Sequence, residues 1–282
     1  MQVRTLLSAV AIGLGVTALP AYADAFPDFC VDPTAGGAIA APAGGFPDNT
    51  TACNVSPPAG AAGFVADYLN GFYNEGISLR PSATPGVFNF NAMIKADWNA
   101  FVWDGTTLNG AGTGLGAQYL LYAIVEASGT ASGTSFTPNT GTIRLYIDTD
   151  GDTQGNTIQV TPGGLALSTY SFDTGNDDLL ATADYLSGSG SLDPSDENFA
   201  ITFGNFLLTA TGEDFFTAPR PFYMTVFSDG EISDGSTVQI ASGDFTAQGD
   251  LSAVFQEVPE PGSLALLGLG LLGLGAARRR KA

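Results

Sequence analysis

The segment TIRLYID at residues 142–148 decides the fold class, because apolar and polar side chains alternate along it. Successive side chains of a strand point to opposite faces, so Ile143, Leu145 and Ile147 are expected to share one face. The alternation therefore predicts a half-buried β-strand. The segment VFNFN at residues 87–91 alternates in the same way.

Similar short segments continue on both sides, separated by turn signals such as Asp104-Gly105, Ser128-Gly129 and Asp229-Gly230. Residues 118–127 are apolar on both faces and predict a central strand. Short helices are expected only at residues 63–74 or 174–186. This pattern predicts an all-β fold, a single antiparallel β-sandwich or jelly-roll-like domain over residues 63–257.

The composition excludes several classes of function. The 282 residues include 28 acidic and nine basic side chains, a net charge of −19, and no histidine. Nucleic-acid binding needs a basic surface and is therefore not expected. Without histidine the chain has no Ser–His–Asp or Cys–His catalytic system and no histidine-ligated metal. Two carboxylates could in principle hydrolyse glycosides, but nothing in the sequence selects a pair, so we expect no enzymatic activity.

The N-terminus predicts a secretory signal peptide over residues 1–23. Arg4 precedes an apolar stretch at residues 5–19, and Ala21 and Ala23 form a small-x-small cleavage site, with cleavage after Ala23. A transmembrane anchor is the alternative, but the stretch is shorter than the ~20 residues that a spanning helix needs. Export through the Sec machinery is therefore expected.

The C-terminal segment at residues 258–282 has three parts in a fixed order. An apolar run at residues 263–277, expected to be helical, separates two polar groups: Pro259, Glu260 and Pro261, and then Arg278, Arg279 and Arg280 with Lys281. The run covers only roughly 22 Å of a ~30 Å hydrocarbon core, so it would anchor the chain weakly. An ordinary hydrophobic tail after a proline turn is the alternative interpretation.

This three-part tail resembles the PEP-CTERM sorting signal of Gram-negative bacteria that make exopolysaccharide. The resemblance implies transient anchoring in the inner membrane, recognition by an exosortase and release outside the cell. Processing at both ends removes five of the nine basic residues and Glu260, which leaves four basic and 27 acidic residues in the mature core. A charge near −23 keeps such a protein soluble and repels anionic polymers.

The chain has two cysteines, Cys30 and Cys53, both in the exported part. An oxidising compartment favours a disulfide between them, which stabilises by about 3 kcal/mol in a chain-entropy estimate. A two-thiol metal or redox site is the alternative. Residues 24–62 are rich in alanine, glycine and proline and predict an extended N-terminal segment that the disulfide holds.

An acidic turn directly after the predicted strand at 142–148 is a candidate calcium site. Oxygen ligands at alternate positions suit Ca²⁺, and the chain offers Asp148, Asp150, Asp152 and Asn156. Thr153 occupies the position at which an EF-hand loop has glycine. A solvated acidic turn is the alternative, and no other cofactor is expected. A second acidic group, Asp173, Asp177 and Asp178, is interpreted as an exposed loop.

Aromatic side chains are candidate sugar contacts, although most aromatic residues in a sheet belong to the core. Trp98 and Trp103 have opposite parity along the predicted strand, so at most one faces the interior if that strand is regular. The other is expected to contact sugar at the surface.

Several short segments together resemble the flocculation-associated PEP-CTERM proteins, the PepA-like family. They are FPDF at 26–29, YLNGFYNE at 68–75, YLLYAIVEASG at 119–129, LYID at 145–148, APRPFYM at 218–224 and GDLSAVF at 249–255. The resemblance implies a non-enzymatic protein of the extracellular matrix that cells need to aggregate within exopolysaccharide. The alternative is a carbohydrate-binding module or a calcium-dependent, lectin-like one.

Overall fold

The computed structural model describes residues 26–35, 39–47, 63–153, 176–193, 196–223, 225–231 and 243–256. These residues form twelve strands and two short helices, so the all-β prediction is confirmed for the described part. In chain order the elements are β1 (Phe29–Val31), β2 (Phe64–Ala66), β3 (Tyr68–Pro81), β4 (Val87–Trp103), β5 (Thr106–Thr107), α1 (Gly110–Thr113), β6 (Leu120–Ser132), β7 (Ser135–Asp148), β8 (Asp178–Asp193), β9 (Asp196–Leu208), α2 (Ala210–Phe215), β10 (Phe216–Ala218), β11 (Thr225–Glu231) and β12 (Gly243–Gln256).

Eight long strands form one closed, barrel-like antiparallel sheet. Its order is β3, β4, β6, β7, β8, β9, β11 and β12, and the ring closes where residues 243–253 of β12 pair with residues 69–79 of β3. The predicted sandwich or jelly roll is therefore wrong in its arrangement, because the strands follow one another around a single ring. Closure pairs both edges of the sheet and leaves the interior to be filled by side chains.

A separate three-stranded sheet packs against the closed one. Its central strand β1 lies between β2 and β10, with Cys30 opposite both Val65 and Ala218. Phe29 is fully buried, and its ring lies 5.0 Å from that of Phe255 in β12. Part of the N-terminal segment thus contributes directly to the core.

The core confirms the two strongest strand predictions. Ile143, Leu145 and Ile147 in β7 are all buried and face the interior together. In β6 every residue from Leu121 to Val125 is buried, as expected for a strand covered on both faces.

Both predicted helical regions are wrong. Residues 63–74 lie in β2 and β3, and residues 178–186 lie in β8. The two helices that do occur are short and have polar N-caps. Thr209, for example, accepts a hydrogen bond from the Gly212 amide at 3.1 Å and starts α2.

The glycine dipeptides have two different roles. Asp104 and Gly105 have φ angles of 49° and 68° and form the predicted turn between β4 and β5. Gly129 and Gly230, predicted to lie in turns, are instead inside β6 and β11. A Cβ at Gly129 would lie 2.1 Å from the carbonyl oxygen of Thr137, so glycine there allows two strands to approach closely.

Several predictions fall outside the described residues. These are the signal peptide with Ala21 and Ala23, the N-terminal Cys53, the potential ligand Asn156, and the C-terminal tail with its sorting motif. Within the ranges that the structure describes, no helix is long and apolar enough to cross a membrane.

Candidate functional site

Four carboxylates meet where the two ends of the β7–β8 connection come together. Asp148, Asp150, Asp152 and Asp177 each offer an oxygen, and these oxygens all lie within 4.8 Å of one another. We call these residues the acidic cluster. The structure thus brings together three of the four predicted calcium ligands and adds Asp177, which we had interpreted as part of an exposed loop.

The location of Asp177 follows from the pairing of β7 with β8. Asp148 ends β7, and Asp177 directly precedes β8, so antiparallel pairing brings the two ends of the connection together. Ile147 lies opposite Asp178 in this register. We predicted a short helix where β8 lies. A strand predicted to start at Asp178 and to pair with β7 would have placed Asp177 beside Asp148.

Asp148 organises the turn that follows it. Its Oδ1 accepts hydrogen bonds from the amides of Asp150, at 3.0 Å, and Gly151, at 2.6 Å. Its Oδ2 accepts from the Thr153 amide at 3.1 Å and the Thr153 hydroxyl at 2.5 Å. Burial opposes ionisation of Asp148, but these hydrogen bonds outweigh it and lower the pKa of the carboxyl. Asp148 is therefore a buried, charged group at the start of an exposed turn.

A buried lysine supports this turn. Lys95 in β4 has no exposed surface, and its Nζ donates to the carbonyl oxygen of Thr153 at 3.1 Å and to the carboxylate of Asp97. The same ammonium lies 5.6 Å from the ring centre of Tyr122. Burial raises the pKa of Asp97 even though Lys95 opposes the shift. The acidic turn is thus attached to the wall of the closed sheet.

Asp177 is connected to the same wall. The Tyr122 hydroxyl donates to Asp177 Oδ2 at 2.5 Å, and Oδ1 is buried without a hydrogen-bond partner among the described residues. Burial, together with the negative charges of Asp148, Asp152 and Asp150, raises the pKa of Asp177. The side-chain amide of Asn176 donates to Asp150, which further links the two ends of the cluster.

The donor set suits a hard cation. The acidic cluster contains only oxygen donors, which favour Ca²⁺, Mg²⁺ or Mn²⁺ over metals that prefer imidazole or thiolate. Oxygens on opposite sides of a Ca²⁺ ion, each 2.3–2.6 Å from it, lie about 4.6–5.2 Å apart. The oxygens of the acidic cluster all lie within 4.8 Å of one another, which is close enough for one ion to contact them together. The remaining ligands would have to come from water or from other parts of the connection.

The two tryptophans occupy different environments. Trp98 is 6% exposed and belongs to the main core, where its indole nitrogen is buried without a hydrogen-bond partner in the described part of the chain. Trp98 as a surface sugar contact is therefore wrong. Trp103 is half-buried and packs against Cys30, Val65 and Ala218, so its role in sugar contact stays a prediction. The intervening strand is irregular, since Asn70 pairs with Ala100 but Gly71 pairs with Trp98.

Cys30 is buried in β1 and is not a free thiol. Because Cys53 lies outside the described residues, the Cys30–Cys53 pair stays a prediction.

Comparison with known proteins identifies the C-terminal tail. Residues 257–281 match the PEP-CTERM protein-sorting motif. The motif indicates an exosortase-processed extracellular protein that is exported to the cell envelope or surface. The predicted sorting signal is therefore confirmed. The match covers the tail alone and gives no evidence for the flocculation-associated family. No curated protein and no solved structure matches the chain.

Proposed function

We propose that this protein is a non-enzymatic component of the extracellular polysaccharide matrix of a Gram-negative bacterium and supports cell aggregation. The observation that carries the proposal is the sorting motif at residues 257–281, which indicates export and release after processing. The partners are then the Sec machinery and an exosortase during export, and polysaccharide afterwards. Nucleic acid is not among them.

The charge and fold are suited to this role. Paired edges in the closed sheet protect an exported protein from edge-to-edge aggregation. The mature core carries 27 acidic and four basic residues, so direct contact with an anionic polymer is unfavourable. Contact must therefore use neutral sugars or bridging cations. The absence of histidine supports a role without catalysis.

A second candidate function is calcium-dependent carbohydrate binding. The specific observation in its favour is the acidic cluster, in which Asp177 joins the three carboxylates of the 148–152 turn. A bound Ca²⁺ would neutralise part of this charge and could bridge the protein to acidic or hydroxyl groups of a polymer.

The deciding experiment compares the settling of cells that lack this gene with that of wild-type cells, while secreted polysaccharide is measured in both. We expect dispersed cells in polymer-rich medium, rescued by the full-length gene but not by a gene lacking residues 257–282. Normal flocs in the deletion strain would contradict the aggregation role while leaving the export assignment intact. Rescue by an Asp150→Ala gene would show that calcium binding at the cluster is dispensable for aggregation.

A further inference from the structure

A depression of about 750 Å³ crosses the outer face of the closed sheet. We call it the outer trough. Its polar side chains come from β3, β4, β9, β11 and β12, and they are Asn70, Asn99, Asn198, Asp229, Asp250 and Ser252. Along β12, Asp250 and Ser252 alternate with the core residues Leu251 and Ala253, so they face outward.

Strand register arranges these side chains in a continuous row. Asn70 in β3 lies opposite Ser252 in β12, Ser252 lies opposite Asp229 in β11, and Asp229 lies opposite Ala200 in β9. Neighbouring strands are about 4.8 Å apart, so the three polar side chains span roughly 10 Å, and Ala200 continues the row on β9. The Ser252 hydroxyl donates to Asn70 Oδ1 at 2.7 Å and fixes the orientation of that amide. The row is therefore a preformed series of polar groups on a rigid support.

Two glycines allow the strands beneath the outer trough to pack closely. A Cβ at Gly71 would lie 2.2 Å from the carbonyl oxygen of Asp97, and one at Gly230 would lie 2.4 Å from that of Asp250. Neither position tolerates a side chain without movement of the backbone. The outer trough is thus lined by main chain at these two glycines, by Phe199 and Leu251, and by a rim of polar side chains.

The chemistry of the rim favours a neutral, hydroxyl-rich ligand. Amides donate and accept hydrogen bonds and carboxylates accept them, which complements hydroxyl groups that do both. Asp229 and Asp250 would repel an anionic ligand, and no basic side chain is among the described residues that line the depression. Phe72 lies opposite Asp250 and is 48% exposed, so it offers an apolar ring face beside the polar row.

We propose that the outer trough binds a chain of neutral sugars, with Asn70, Asp229 and Asp250 as hydrogen-bond partners and Phe72 as an apolar contact. The proposal rests on the proposed matrix function and names the part of the polymer that the protein contacts. The proposed sugar contacts lie on the outer face of the strands, whereas Trp98, the contact predicted from sequence, packs in the core.

The test titrates the processed protein by calorimetry with hexasaccharides of glucose, galactose, mannose and N-acetylglucosamine. Dextran sulfate and a hexalysine peptide serve as the anionic and cationic probes. At an ionic strength high enough to screen the charge of the mature core, we expect saturable binding of at least one neutral chain and no binding of either charged probe. Asp229→Ala and Phe72→Ala should each weaken that binding about tenfold. Asp184→Ala, an exposed carboxylate of β8 outside the outer trough, should leave it unchanged.

Three outcomes would overturn the proposal: no neutral chain binds, only a charged probe binds, or neutral binding is unaffected by Asp229→Ala and Phe72→Ala. Thermal midpoints equal to that of the unaltered protein establish that the variants are folded. If the deletion strain fails to form flocs while the purified protein binds no neutral chain, the matrix function stands and the outer trough is not its sugar site. If the deletion strain forms normal flocs while the purified protein binds a neutral chain, the sugar site stands and the matrix function is contradicted.

Discussion

The Tyr122 hydroxyl donates a 2.5 Å hydrogen bond to Asp177, a residue 55 positions later in the chain. Tyr122 has no exposed surface and stacks on Tyr146, with 5.2 Å between the ring centres. Its partner Asp177 belongs to the acidic cluster, so a rigid strand of the closed sheet orients one of the four carboxylates. The cluster is therefore built on the sheet as well as on the turn that follows β7.

Tyr122→Phe tests this connection. The substitution removes one hydrogen bond to a carboxylate and leaves Asp177 with fewer partners in a partly buried position. We expect the free energy of unfolding to fall by about 1.5–3 kcal/mol, measured by chemical denaturation. Tyr146→Phe, which keeps the stacked ring, is the control and should change stability by less than about 0.5 kcal/mol. Equal losses in the two variants would contradict the role assigned to the hydrogen bond.

Calcium should stabilise the protein through the acidic cluster. An ion bound only to the folded state at a hundred times its Kd adds about 2.7 kcal/mol, which corresponds to roughly 5–10 °C in the thermal midpoint of a domain of this size. We expect this rise between chelator and millimolar Ca²⁺. Asp177→Ala and Asp150→Ala should each abolish it, whereas Asp184→Ala should retain it. Equal midpoints with calcium and with chelator would rule out a calcium site here.

The local features of the fold were predictable from sequence, whereas its closure was not. Alternation in residues 142–148 and the continuous apolar segment at 121–125 depend on neighbouring residues, and both strands are present. The pairing of β12 with β3 joins residues more than 160 positions apart, and no local pattern encodes that register. Two packed sheets and one closed sheet produce the same alternation.

The errors at the candidate sites have a common physical cause. The parity of Trp98 and Trp103 could not say which of them lies in the core, because that depends on contacts with other strands, and β4 is irregular next to Trp98, where its register shifts against β3. Gly230 was predicted to lie in a turn, but it permits close approach of the Asp250 carbonyl within the sheet. Asp177 was overlooked because β8 was not predicted. In each case the deciding contact comes from another strand.

Lys95→Met should destabilise the protein strongly. The change leaves the carboxylate of Asp97 and the carbonyl of Thr153 without their buried donor, and breaking such a pair costs roughly 3 kcal/mol. Arg144→Met is the control, because the 3.0 Å ion pair between Arg144 and Glu126 is solvent-exposed and contributes less than about 1 kcal/mol. Denaturation curves that show equal losses would contradict the role of Lys95. The double variant Lys95→Met/Asp97→Asn should recover part of the loss, since it removes the uncompensated charge.

Glu75→Gln should make the protein less sensitive to alkaline pH. Glu75 is partly buried and shares the sheet interior with Phe90, Ile94 and Ile201, and this burial raises its pKa from 4.5 to about 8. Between these values the folded state holds a proton that the unfolded state has released, so the group costs stability as pH rises from about 4.5 to 8. We expect similar stabilities of the two proteins at pH 4 and a gain on the order of 5 kcal/mol for the variant at pH 9.

The measurement for Glu75 is the free energy of unfolding at pH 4, 6, 8 and 9. Glu126→Gln is the matched control, because Glu126 is exposed on β6 and its substitution should give a difference that is nearly independent of pH between 6 and 9. A Glu75→Gln difference that stays constant over this range would show that the carboxyl is solvated in the folded protein.

Replacing Pro259, Glu260 and Pro261 with alanine should block removal of the tail. The apolar run and the basic cluster would remain, so the protein is expected to stay in the membrane fraction with residues up to Ala282 still attached. In the unaltered protein, intact mass spectrometry of the medium should find a chain that lacks this run. Pro85→Ala, in the exposed turn between β3 and β4, is a control that should be released normally. Deletion of the exosortase gene should give the same retained form. Released protein that still carries the tail would contradict processing at this motif.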